Sequence, residues 1–192
     1  MIRTNEAYTF QSVNIARRNL FSENINNESE HELFKLFISE LKEMYWSEVI
    51  LIKVLAKMIK NTSDTSLYQL LQLNLETTHY KITRLEDIFV ALDEKVASKK
   101  CVSIEEMIIE INDYIKHYEK GKFKDEMMML NFHKITQFKM DTFDSLYEYA
   151  KLIGEYEVAG FFMESLNEEL ELDSKLTEMS DSTIHLNISS YF

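Results

Sequence analysis

The stretch "NFHKITQFKMDTFDSLYEYAKLIG", residues 131–154, decides how this chain folds. Read at helical spacing, Phe132, Ile135, Phe143, Leu146, Ala150 and Ile153 form one apolar stripe, the pattern of a helix packed on a core. The stripe should continue between Ile135 and Phe143, and the residue standing there is Lys139. An ammonium group at a core position is costly unless carboxylates meet it. The stretch therefore predicts a long, inward-facing helix and directs attention to acidic residues on the helices around it.

Composition agrees with a helical reading. The 192 residues contain no proline and only three glycines, whereas sheet-rich folds consume both in turns. Outward from the opening stretch, the same periodicity recurs. A first helix starts near "SEHE", where Ser29 and Glu32 have capping-box spacing, and carries Phe34, Phe37, Leu41, Tyr45, Glu48, Ile52, Leu55 and Ile59. After the loop "NTSDTS" (61–66), a second helix presents Tyr68, Leu71, Leu75, His79, Ile82, Leu85, Phe89 and Leu92. A shorter helix is expected from Ser103, with Glu106 completing another capping box. The opening stretch lies in a helix from about 125 that stops at Gly154, a residue suited to a left-handed cap. A last helix from about 155 to 179 carries Val158, Phe162, Leu166, Glu169, Asp173 and Leu176.

Four long helices with short loops inside each pair, and a long middle connection carrying a short helix, describe an all-α, ferritin-like up-down four-helix bundle with a crossover. Its expected span is residues 29–180, with 1–28 a flexible or peripheral arm and 181–192 a peripheral tail. The net charge of −12 argues against nucleic acid and anionic membranes as partners. No run of about 18 apolar residues marks a membrane span. A single cysteine, Cys101, excludes an internal disulfide, and no secretory signal is visible, so a cytoplasmic protein is expected.

The polar residues inside the stripes carry the chemistry. Glu48 interrupts helix one, Glu76 and His79 stand i, i+3 on helix two, and Glu169 and Asp173 stand i, i+4 on the last helix. A Glu-x-x-His pair with carboxylates from neighbouring helices is how such bundles hold two iron or manganese ions. Taken singly, each has a plainer explanation: an interior Glu at a core boundary, a satisfied histidine. Their occurrence together, at comparable depth on three helices, is what points to a metal site, present or ancestral. Tyr45, one turn before Glu48, either packs in the core or lines that site.

"ELFKLFISELKEMYWSEVILIKVLAKM" (32–58), "LNLETTHYKITRLEDIF" (73–89), "KKCVSIEEMIIE" (99–110) and "ESLNEELELDSKL" (164–176) resemble the YciE/YciF-type ferritin-like family, DUF892. The resemblance covers roughly residues 30–180. It implies a ferritin-like bundle, a homodimer, a link to stress response, and Glu48, Glu76, His79, Glu169 and Asp173 as candidate metal ligands. In similar sequences the fourth helix reads "VEHYEIAAY", and its glutamates fall on Thr136 and Lys139 here. Asp141 and Asp144 are poor substitutes, lying about 200° and 140° around the helix from Lys139. Three readings follow: the Lys139 ammonium stands where a metal would be, neutralising Glu48, Glu76 and Glu169; helix four is rotated and Lys139 reaches water; or one metal binds weakly beside Lys139. The expected function is a stress-associated protein with a degenerate di-metal site, no strong enzymatic activity, and no cofactor or only weakly bound iron or manganese. Its alternatives are an active di-iron or di-manganese oxidoreductase and a structural interaction module.

Overall fold

The structure, a computed structural model, describes residues 27–189, with side chains from 28 to 180. The arm expected over 1–28 thus falls almost wholly outside the described residues. Five helices make up the rest: α1 (Asn27–Asn61), α2 (Thr65–Ala91), α3 (Val102–His117), α4 (Lys122–Leu152) and α5 (Tyr156–Ser189). No strand occurs among the described residues.

α1 pairs with α2 and α4 with α5, as the short loops require, and the two hairpins pack α1 on α4 and α2 on α5. Neighbouring long helices are antiparallel. Asp125, in the first turn of α4, lies against Ser63 and Asp64 at the end of α1, while Phe37 and Leu41 near the start of α1 share a cluster with Phe143, Leu146 and Ala150. The long connection from α2 to α4 carries α3 along α1 and α4. Lys99 holds its start to α1, with its N–H donating to the Lys42 carbonyl (3.0 Å) and its ammonium meeting Ser39 (2.8 Å) and Glu43 (2.7 Å).

Helix ends follow local chemistry. Asp64 caps α2, its carboxylate accepting the Leu67 N–H at 2.7 Å. α4 stops at Gly154 (φ +81°): the Gly154 N–H donates to the Lys151 carbonyl (3.1 Å) and the Glu155 N–H to that of Ala150 (2.8 Å), a Schellman motif. The same pair of bonds ends α2, with Asp93 in the left-handed position at φ +56°.

Several boundaries differ from the sequence reading. α1 begins at Asn27, ahead of the Ser29–Glu32 pair, and Glu32 accepts from Lys35 (2.8 Å). α3 begins at Val102 with buried Cys101 at the cap position and no side-chain cap bond; Glu105 meets Lys100 at 2.5 Å. α5, expected to end near 179, continues to Ser189. α2 is turned about one residue from its predicted face: Leu67, Leu71, Asn74, Thr78, Lys81, Leu85 and Ile88 face inward, while Tyr68 and His79 face solvent.

The apolar interior divides in two. Leu51, Leu55, Met58, Leu67, Leu71, Ile104, Ile111, Phe132, Ile135 and Leu176 fill the half nearer the α1–α2 loop. Phe37, Leu41, Met44, Leu85, Phe89, Phe143, Leu146 and Phe162 fill the half nearer the α4–α5 loop. Each such side chain contributes about 1.5–3 kcal/mol by leaving water. Between the halves lies a layer of buried polar side chains.

Candidate functional site

The layer follows from where each helix interrupts its stripe. α1 supplies Glu48 between Met44 and Leu51, α2 Thr78 and Lys81 between Leu71 and Leu85, α4 Thr136 and Lys139 between Ile135 and Phe143, and α5 Ser165 and Glu169 between Phe162 and Leu172. Glu48 and Glu169 are fully buried, and Lys81 and Lys139 are 1 % and 2 % exposed.

Lys139 Nζ sits between two carboxylates, 2.8 Å from Glu48 Oε1 and 2.7 Å from Glu169 Oε1. The Glu169 contact is a hydrogen bond; the Glu48 contact is an ion pair without hydrogen-bond alignment. Lys81 donates to the same Glu169 Oε1, and its Nζ lies 3.9 Å from Glu168 Oε2. Burial alone would drive Lys139 toward its neutral form, but Glu169 and then Glu48 outweigh it and hold the pKa above the ordinary lysine value. Burial likewise pushes Glu169 up, and Lys139 and Lys81 outweigh it to bring the carboxyl below its usual range. The result is a charged lattice inside the protein. Glu48 Oε2, Glu169 Oε2 and Thr78 Oγ1 are buried without a hydrogen-bond partner among the described residues.

Around this centre, Arg84 fastens α2 to α5, donating to Ser165 Oγ (2.8 Å) and to both oxygens of Glu168 (3.2 and 3.0 Å). Glu164 approaches the same guanidinium at 2.9 Å.

The other candidate residues lie elsewhere. Glu76 and His79 are exposed on the outer side of α2, so the Glu-x-x-His pair does not reach the layer. The cause is the turn of α2, which brings Thr78 and Lys81 inward instead. Asp173, one turn beyond Glu169, is bonded to His133 Nε2 at 2.7 Å. That contact also places His133 at 16 % exposure between α4 and α5. Tyr45 donates to Glu86 Oε1 (2.8 Å) and packs edge-on against Phe89, and burial followed by the Glu86 bond raises its pKa. Thr136 is buried and returns its hydroxyl to the Phe132 carbonyl (3.2 Å).

The residue that sequence reasoning missed is Lys81. Its signal was present in the stripe Leu67–Leu71–Asn74–Thr78–Lys81–Leu85–Ile88, whose ends are apolar and whose middle is polar.

A di-metal centre of the kind that such bundles hold needs several anionic oxygens and imidazoles facing the ions. The residues present do not fit one. No group of three or more His, Cys, Asp or Glu converges among the described residues, and the two buried glutamates already face ammonium groups.

The family model described as a domain of unknown function, DUF892, matches residues 32–189. The chain belongs to the DUF892 family. Among its relatives, YciF of Escherichia coli (strain K12) is 29 % identical over 151 residues, covering 78 % of this chain and 91 % of that protein. The crystal structure of the E. coli stress protein YciF superposes with a TM-score of 0.76 at 28 % identity, covering 80 % of this chain and 97 % of the other. A protein described as a putative structural protein, YcfI from Rhodopseudomonas palustris, matches with a TM-score of 0.73 at 26 % identity, covering 76 % of this chain and 92 % of the other. No helix among the described residues is long and apolar enough to cross a membrane.

Proposed function

We propose that this protein is a ferritin-like bundle whose di-metal centre has been replaced by an internal salt-bridge lattice, and that it acts as a non-enzymatic, stress-associated cytoplasmic protein, working as a homodimer. The observation carrying this reading is Lys139 Nζ between Glu48 Oε1 (2.8 Å) and Glu169 Oε1 (2.7 Å), at the depth where the bundle would hold cations. Two antiparallel hairpins joined by a crossover support the ferritin-like assignment. The stress association rests on the description of the E. coli relative. A structural role is the second reading, favoured by the description of the R. palustris relative.

The test is metal content of the purified protein by mass spectrometry, before and after aerobic loading with Fe(II) and Mn(II), together with its mass in solution. Near-zero metal in a dimer is expected. About two metals per chain would overturn the reading and put redox chemistry in its place.

A further inference from the structure

The proposed function, on which this inference rests, assigns one cation to the centre; the geometry points to two. We propose that Lys81 and Lys139 both occupy cation positions around Glu169, so that the number of divalent ions the core accepts is set by how many of the two lysines remain.

The first observation is that Glu169 Oε1 is shared. It accepts from Lys139 on α4 and from Lys81 on α2, so one carboxylate oxygen joins two ammonium groups. Lys139 is held on its far side by Glu48, and Lys81 faces Glu168 at 3.9 Å. The second observation is charge. Glu48, Glu169, Lys81 and Lys139 form a formally neutral quartet, all four at 2 % exposure or less. Adding a divalent ion to that quartet would bury two uncompensated charges, which a low-dielectric interior opposes. The third is that oxygens remain open: Oε2 of Glu48 and Oε2 of Glu169 are buried with neither a hydrogen-bond partner nor an ammonium beside them among the described residues. The anionic half of a cation site is therefore in place, and the ammonium groups occupy its cationic half.

The charges give the stoichiometry. Lys139→Glu leaves three carboxylates and one ammonium, a net charge that one divalent ion balances. Lys81→Glu does the same from the opposite helix. The double variant carries four carboxylates and balances two ions. With His79 facing solvent, every donor would be oxygen, which favours Mn(II) over metals that seek nitrogen or sulfur.

The experiment loads the full-length protein and its three variants with Mn(II) chloride, removes free ion, and counts bound manganese by mass spectrometry alongside its electron paramagnetic resonance signal. The expected ratios per chain are about zero for the wild type, one for each single variant and two for the double variant, by the charge balance above. A single variant holding two ions, or a double variant holding no more than either single one, overturns the second cation position while leaving the proposed function standing. Two ions in the wild type overturns the proposed function itself. Should the glutamate variants not fold, Lys81→Ala is titrated with ethylammonium chloride. A saturable rise in its melting temperature, absent with tetramethylammonium, is expected, and an equal response to both salts overturns the assignment.

Discussion

Two buried carboxylates, Asp125 and Glu169, show how differently one chemical group is held in one protein. Asp125 is 4 % exposed at the end of the bundle, and its partners are the Ser63 N–H (3.0 and 3.1 Å), the Ser63 hydroxyl (2.5 Å) and the Asp64 N–H (3.0 Å). It also sits in the first turn of α4, where the helix dipole favours negative charge. Glu169 is fully buried at mid-length, and its partners are two ammonium groups on one oxygen. Asp125 is answered by backbone N–H groups and a helix terminus, which no side-chain change removes, together with one hydroxyl from Ser63. Glu169 is answered by two charges that themselves require burial, so each member of the quartet is stable only while the others remain. The end of the bundle is fastened; the middle is balanced.

The sharpest way to break that contrast is Glu169→Ala, which strands two buried ammonium groups. A loss of about 3–5 kcal/mol is expected from urea unfolding. Replacing the whole quartet (Glu48→Leu, Lys81→Met, Lys139→Met, Glu169→Leu) should instead give a protein as stable as the wild type or more so, because every desolvated charge goes at once. If the two experiments give equal losses, the quartet is not a mutually balancing unit. Asp125→Ala comes next, at about 2–3 kcal/mol, since it leaves the Ser63 and Asp64 donors without their acceptor. Adding Lys139→Met to it should cost the sum of the two single effects, because the sites do not touch.

The pH dependence sharpens the contrast further. Lys139 and Lys81 hold the Glu169 carboxyl below the ordinary glutamate value of 4.5, so its contribution is complete above that value and is lost as pH falls beneath it. Lys139 is raised above 10.5, so its contribution is complete below that value and is lost as pH rises past it. Thermal unfolding followed across pH should show the quartet's contribution level between these limits, with the alkaline decline reduced in Lys139→Met. The smallest effect expected is at Asp93, in the left-handed region at φ +56°. Asp93→Gly should stabilise by about 0.5–1 kcal/mol, read as a rise in melting temperature.

The helices of the bundle were legible because apolar residues recur at helical spacing over long segments, and the loop at "NTSDTS" and the stop at Gly154 supplied the ends. Glu48, Lys139 and Glu169 stood out for the same reason: each interrupts an otherwise unambiguous stripe. α2 offered two stripes sharing Leu71, Leu85 and Leu92, and its middle decided between them. There the outward-facing set contains His79 and Ile82 and looks more apolar than the inward set Asn74, Thr78 and Lys81. Periodicity counts apolar residues and does not register that Lys81 meets a carboxylate 88 residues away. The capping box read at Ser103 and Glu106 missed on the same ground: the helix starts at Val102, with Cys101 at the cap position and no side-chain cap bond.

The placement of the polar layer between two apolar clusters also limits how the helices can slide. One turn of α4 is about 5.4 Å. A shift by that much in either direction would bring Ile135 or Phe143 level with Glu48 and Glu169 and carry Lys139 into one of the clusters. For four helices with apolar faces, slipping by a turn is ordinarily a minor error, because one leucine replaces another. Here it exposes every buried charge to hydrocarbon together, and so the bundle has a single axial register, set by four side chains at its centre.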